Sequence, residues 1–142
     1  MINNIFTQPE TYRKTRLPVD QASTLIPAAY TNQEFFNLEK EMVYANGWVA
    51  AGCLPQVSHP GDILLTEVAG RSILIVRNKT GKLGAFYNVC RHRGSKLIEE
   101  SCKENSIRCP YHGWVYGLDG KCLGTSIFKK DKSVRRPSSS VK

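Results

Sequence analysis

Cys90-Arg91-His92-Arg93-Gly94 and Cys109-Pro110-Tyr111-His112-Gly113-Trp114 are the two stretches that decide how this chain is read. Sixteen residues separate His92 from Cys109, and each stretch offers one thiolate and one imidazole. That division is informative. A zinc finger usually places both cysteines in one arm and both histidines in the other, because all four converge on one ion. With two irons, a pair of cysteines can serve one and a pair of histidines the other. Each stretch then touches both irons, and the two close like a clamp. Gly94 and Gly113, just past the histidines, let backbone N–H groups come close to the sulfides. Cys90, His92, Cys109 and His112 are thus the candidate ligands of one [2Fe–2S] cluster. A zinc-stabilised interaction module is the non-redox alternative, separable by iron content and colour.

The donor set also predicts chemistry. Two neutral imidazoles in place of two anionic thiolates lower the negative charge around the irons, so an added electron is easier to accept. Rieske centres of this kind lie at about −150 to +300 mV, against about −400 mV for all-cysteine plant-type ferredoxins. Ligands that close both irons leave no position for a substrate. The expected role is a relay of single electrons.

Outward from the two stretches, the chain reads as short strands. Val49–Leu54 ends at Pro55, Pro60-Gly61-Asp62 makes a turn, and Ile63–Val68 and Arg71–Arg77 flank the hairpin signal Ala69-Gly70. Asn78–Lys82 turns into Leu83–Val89, and Val115–Tyr116 and Lys121–Leu123 flank Gly117-Leu118-Asp119-Gly120. Short strands with glycine-bearing turns predict a mainly β fold, a small antiparallel β architecture. Upstream, residues 1–30 carry Pro9, Pro18 and Pro27 without periodicity and read as an extended arm. Thr31-Asn32-Gln33-Glu34 reads as a capping box, with Thr31 as the cap. Phe35, Leu38 and Met42 then recur at helical spacing until Gly47. The expected organisation is an arm and one α-helix over 1–47, a cluster domain over 48–124, and a basic, disordered tail over 125–142.

The totals exclude several classes. The 142 residues suit a single core, and no apolar run approaches the ~20 residues of a membrane helix. The start, Met1-Ile2-Asn3-Asn4-Ile5-Phe6, lacks the pattern of a secretory signal, so a cytoplasmic location is expected. Of the net charge of +8, residues 125–142 hold +5, so the body offers no basic stripe for nucleic acid. Five cysteines, an odd number, argue for metal ligation with spare thiols over a disulfide framework. Cys53 and Cys122 sit in strand patterns and are expected in the core, Cys102 in a charged loop, and His59 in a turn.

Cys90–Leu97 and Cys109–Trp114, with Leu25–Gly52, Pro60-Gly61-Asp62 and Ala85–Cys90, resemble the N-terminal part of ring-hydroxylating oxygenase α subunits, choline-monooxygenase-like members included. The resemblance covers roughly residues 20–124. It implies a β-sandwich-like Rieske domain with a cluster-binding lobe made by the two loops. It implies electrons arriving from a reductase or ferredoxin and leaving for a mononuclear non-haem iron. In that family the second histidine, here His112, hydrogen-bonds a bridging carboxylate of a neighbouring subunit. Respiratory Rieske proteins carry an extra cysteine in each loop, joined by a disulfide. Ser95 and Tyr111 stand at those positions, so that bridge cannot form. Trp114 stands where they place a serine that bonds a sulfide, while Tyr116 keeps a second such bond; Arg93, Tyr111 and Trp114 surround the centre. One donor fewer predicts a potential at the low end of the Rieske range, below about +200 mV. Oxygenase α subunits go on to a domain holding iron by two His and one carboxylate. This chain has three histidines, two of them candidate cluster ligands, so it is not expected to activate oxygen itself. A freely diffusing Rieske ferredoxin is the alternative, although such a carrier has no need of the residues before 48.

Overall fold

The computed structural model describes residues 4–125. The tail expected over 125–142 therefore lies, apart from Thr125, outside the described residues. Contacts divide the chain after Trp48 into two compact units.

The first unit is helical and less extended than expected. The arm is a series of 3-10 turns: Ile5–Thr7, Pro9–Tyr12, Lys14–Arg16 and Pro27–Tyr30. Pro9 and Pro27 open two of them, since a proline's fixed φ suits the first helical position and its missing N–H costs nothing there. The Tyr12 hydroxyl donates to the Phe6 carbonyl at 2.7 Å, and the buried Phe6 ring meets Phe35 at 4.8 Å. Helix α1 (Gln33–Glu39) starts one residue later than the capping box suggested. The backbone of Thr31 closes the preceding turn, so Asn32 becomes the cap and its side chain accepts from Phe35 N–H at 3.0 Å. The helix then widens into a π turn over Lys40–Tyr44.

The second unit is antiparallel throughout. Strands β1 (Asp62–Val68), β2 (Arg71–Arg77), β3 (Leu83–Tyr87) and β4 (Cys102–Lys103) form a sheet in the order β3-β2-β1-β4. A smaller sheet, in the order β5-β6-β7, contains β5 (Ile107–Arg108), β6 (Val115–Tyr116) and β7 (Cys122–Gly124). Ala69 (φ 53°) and Gly70 (φ 75°) make the two-residue turn that joins β1 to β2, both left-handed as a twist-matched hairpin requires. Ile63, Leu74 and Val76 point one way from the large sheet and are buried with Leu97, Ile107, Trp114, Tyr116 and Leu118. Cys90 and Cys109 belong to that same core.

Three expectations fail here: the strand over Val49–Leu54, Cys53 in the core and Cys102 in a loop. Val49–Leu54 joins no ladder; residues 49–53 are irregular, and Leu54–Val57 is a 3-10 turn with Pro55 in its first turn. Proline has no N–H for a sheet, whereas it suits a helical start. Cys53 is consequently exposed, while Cys102 sits in β4 and Cys122 in β7, both half-buried against the core. His59 lies in the turn before β1, where its backbone N–H donates to the Asp62 carboxylate at 2.7 Å. Among the described residues no helix is long and apolar enough to cross a membrane.

Candidate metal centre

Both motif loops are built on one backbone frame. Cys90 N–H donates to the Ser95 carbonyl (2.8 Å) and Gly94 N–H returns to the Cys90 carbonyl (2.9 Å). Cys109 N–H donates to the Trp114 carbonyl (2.7 Å) and Gly113 N–H returns to the Cys109 carbonyl (3.0 Å). In each loop the glycine stands four residues past the cysteine, at φ +70° and +68° respectively. A side chain there would force a left-handed residue at a cost of about 1–2 kcal/mol. The first loop leaves β3; the second joins β5 to β6. The frame explains the unequal spacing: C-x-H and C-x-x-H differ only in where the histidine sits on a common turn.

The candidate ligands are brought together in two pairs, Cys90 with Cys109 and His92 with His112. Cys90 and Cys109 are each 2% exposed and unbridged. The imidazoles of His92 and His112 meet edge to face with centroids 4.7 Å apart. Nδ1 of His92 is buried with no hydrogen-bond partner among the described residues. An orphaned ring nitrogen of that kind costs about 1–3 kcal/mol unless something binds it. Burial, then the positive charges of His92 and Arg93, lower the His112 pKa, which favours the neutral imidazole that metals take. Burial alone would raise the Cys109 thiol. The backbone N–H groups of His112 and Tyr111 outweigh it, with help from the Cys90 and Ser95 side chains, and the thiol titrates below its usual value. A buried thiol with a lowered pKa, an imidazole biased toward its neutral form and a buried ring nitrogen without a protein partner fit a cluster held by mixed ligands. Among the described residues no three His, Cys, Asp or Glu side chains converge on a single ion.

Around these groups the other expected residues fall into different roles. Trp114 is buried and stacks flat on His92, centroids 4.9 Å apart and planes within 4°. Tyr111 lies against His112 at 3.8 Å but is 59% exposed, so it shields one face of the ring and leaves its own outer face to solvent. Arg93 is exposed, and its charge reaches the ring of the other loop. Tyr116 is 1% exposed; its hydroxyl accepts from Arg91 N–H at 3.0 Å and stands 3.2 Å from Cys90 Sγ. The hydroxyl can accept from Arg91 and still give its proton to the sulfur, which it does once Cys90 is a thiolate with no proton of its own. Burial and the Cys90 contact raise the Tyr116 pKa, so that proton stays in place. Tyr116→Phe is therefore expected to lower the midpoint potential by on the order of 50 mV, the loss of about 1 kcal/mol of differential stabilisation of the reduced state. Protein-film voltammetry measures it; an unchanged potential contradicts the assignment.

Sequence reading missed Asn88. It is 4% exposed, two residues before Cys90, and its side-chain amide and backbone N–H are all engaged. Its Oδ1 accepts from Leu97 N–H (2.9 Å) and Ile98 N–H (3.0 Å). Its Nδ2 donates to the Ile98 carbonyl (2.7 Å) and the Ser72 hydroxyl (3.1 Å), and its backbone N–H to the Ser72 carbonyl (2.9 Å). Asn88 thus ties both ends of the first loop to β2. The available signal was an amide inside the apolar run Ala85-Phe86-Tyr87-Asn88-Val89.

Comparison with known proteins agrees with this geometry. Residues 47–134 match the Rieske [2Fe-2S] domain family. The carnitine monooxygenase oxygenase subunit of Acinetobacter baumannii is 38% identical over 125 residues, 83% of this chain and 34% of that protein. The chloroplastic choline monooxygenase of Spinacia oleracea is 35% identical over 119 residues, covering 84% and 27% of the two chains. The apo form of the quaternary ammonium Rieske monooxygenase CntA superposes with a TM-score of 0.74 at 36% identity, over 84% of this chain and 35% of that one. Naphthalene 1,2-dioxygenase from Rhodococcus sp. superposes equally well, TM-score 0.74, at 26% identity over 82% and 28%. The chain spans about a third of the length of the curated relatives named first. Two loops on one frame, a donor set suited to two irons and a family match over residues 47–134 agree: this chain belongs to the Rieske [2Fe-2S] family, as the domain type found in Rieske non-haem iron oxygenases.

Proposed function

We propose that this chain holds its cluster through Cys90 and Cys109 on one iron and His92 and His112 on the other. It takes single electrons from a reductase or ferredoxin and passes them to a mononuclear iron on a catalytic domain or partner subunit. Bound there, a Rieske cluster supplies reversible one-electron transfer. The observation that carries the reading is the polarity of the site: both thiols are buried in the core, while both imidazole residues reach the surface. The chain's own residues keep the sulfur end dry and hydrogen-bonded and leave the imidazole end as the short way out.

His59 is the one histidine outside the two loops, and it is engaged with Asp62 in a turn. Oxygen activation by a facial triad therefore belongs to residues outside this sequence. The similarity to carnitine and choline monooxygenases favours a small quaternary ammonium compound as the substrate of the assembled oxygenase. Five free cysteines suit a reducing compartment such as the cytoplasm. The residues before Val49, a compact unit by themselves, fit a domain of an oxygenase better than a minimal carrier.

Reductive titration tests the reading. One electron per chain is expected, and oxygen uptake with carnitine or choline should stay at background for this chain alone. Turnover by the isolated chain contradicts the relay assignment.

A further inference from the structure

Strand β3 ends the larger sheet, and its outer edge is open. Its register with β2 sets Leu74 opposite Phe86, Ile75 opposite Ala85 and Val76 opposite Gly84. Just beyond that ladder, Asn78 N–H donates to the Lys82 carbonyl and Asn88 N–H to the Ser72 carbonyl, both at 2.9 Å. Bonded residues alternate along an antiparallel pair, so Gly84 and Phe86 turn their backbone groups toward β2. Those of Leu83, Ala85 and Tyr87 point away from the sheet. Among the described residues only the Tyr87 carbonyl of this set is used, accepting from Val89 N–H at 2.8 Å. All three residues are exposed. Sheet edges are usually blunted by a lysine, a proline or a bulge, because an open ladder recruits other strands. Leu83-Gly84-Ala85-Phe86-Tyr87 has none of these.

The surroundings of the edge are apolar in the middle and basic at both ends. Tyr87 lies opposite Ile73 and Ala85 opposite Ile75, on the sheet face turned away from the core. On that face an apolar groove lies among Leu54, Val57, Leu64, Ile75 and Leu83. Lys79 and Lys82 stand in the turn before β3, and at its other end the Arg71 guanidinium donates to the Tyr87 hydroxyl at 3.4 Å. None of these three cations forms an ion pair among the described residues, and the sequence holds no acid between Glu67 and Glu99. We propose that this edge takes up an extended segment of a partner protein, apolar at alternate positions and carrying carboxylates at both ends. The segment adds a strand outside β3, bonds the open backbone groups and sets an apolar side chain in the groove. Main-chain bonds give such a pairing its affinity, and side-chain pockets give it specificity. Charge selects this occupant over two others. A second copy of the chain would bring an equally basic edge, and the stretch from Lys129 onward is basic as well. Pairing of this kind needs neither the cluster nor its electrons.

The test takes the full chain and a fluorescein-labelled peptide, Asp-Glu-Val-Thr-Val-Thr-Val-Glu-Asp, with a counterpart in which lysines replace the acids. By fluorescence anisotropy the acidic peptide should bind about tenfold or more tightly than the lysine peptide at low salt. That preference should narrow between roughly 20 and 300 mM salt. At saturation, amide exchange should slow about tenfold or more at Leu83, Ala85 and Tyr87, and stay as it was at Gly84 and Phe86, which β2 already protects. Ala85→Pro removes an N–H that the sheet does not use, a place where an edge strand tolerates proline. It should weaken peptide binding about tenfold. If that variant does not fold, the double variant Lys79→Glu, Lys82→Glu, confined to an exposed turn, should abolish the preference for the acidic peptide. Equal binding of the two peptides, or no binding of the acidic one at millimolar concentration, overturns the proposal. Binding that leaves the three edge amides unprotected also overturns it. Protection of those amides that rises with protein concentration alone assigns the edge to a second copy of the chain, and the acidic partner falls.

Discussion

Cys109→Ala is expected to yield protein with almost no iron and no visible absorption, where the natural chain carries about two irons. The sulfur lies in the core at 2% exposure, with the N–H groups of His112 and Tyr111 directed at it. No other cysteine can reach that place: Cys53 is exposed, and Cys102 and Cys122 are held in β4 and β7. Ligand binding to a metal site that the unfolded chain cannot assemble is folding free energy. The damage should therefore spread beyond colour. We expect the second loop, β5, β6 and β7 to lose amide-exchange protection, while β1, β2 and β3, whose ladders do not pass through the loops, keep theirs. Cys53→Ala is the control and should leave iron content and protection unchanged. A Cys109→Ala protein that still binds two irons contradicts the ligand assignment.

Asn88→Leu is expected to be the most destabilising change that touches no candidate ligand. Leucine matches the amide in volume and in nothing else. It leaves the N–H groups of Leu97 and Ile98 and the Ile98 carbonyl without their partner. Each buried group so orphaned costs about 1–3 kcal/mol, so a total of roughly 3–5 kcal/mol is expected. That is a large share of the ~5–15 kcal/mol that holds a domain folded. Ser72→Ala removes only the side-chain hydroxyl end of the same network and should cost about 1 kcal/mol. Urea unfolding of the three proteins ranks them. Equal losses for Asn88→Leu and Ser72→Ala would mean that the loop is held by something else.

The motif was legible because its determinants are local. Each cysteine and histidine pair lies within four residues, and each glycine four residues past a cysteine marks the left-handed turn. The Ala69-Gly70 hairpin was legible for the same reason: the residue types that a two-residue turn tolerates are written at the turn itself. Asn88 was not legible as a determinant. Its partners, Ser72 and Ile98, are sixteen and ten residues away and come together only when β2 and β3 have paired. β4 and β5 are two residues long, too short for any alternation to show, and owe their existence to the neighbouring strands β1 and β6. The apolar run Val49–Leu54 pointed to a strand, but Pro55 is placed to open a turn, and Cys53 was carried out of the core with it. At the helix start two cap-forming residues stand side by side. Only the 3-10 turn ending at Tyr30, which uses the Thr31 backbone, decides for Asn32.

Two thiolates and two imidazoles are expected to divide two irons between them. Pulsed EPR of the dithionite-reduced protein, with iron and acid-labile sulfide assayed on the same sample, tests it most directly. About two irons and two sulfides per chain are expected, with hyperfine couplings from two histidine nitrogens, all lost in Cys109→Ala. A reduced cluster without nitrogen coupling, or iron-free protein after anaerobic reconstitution, contradicts it.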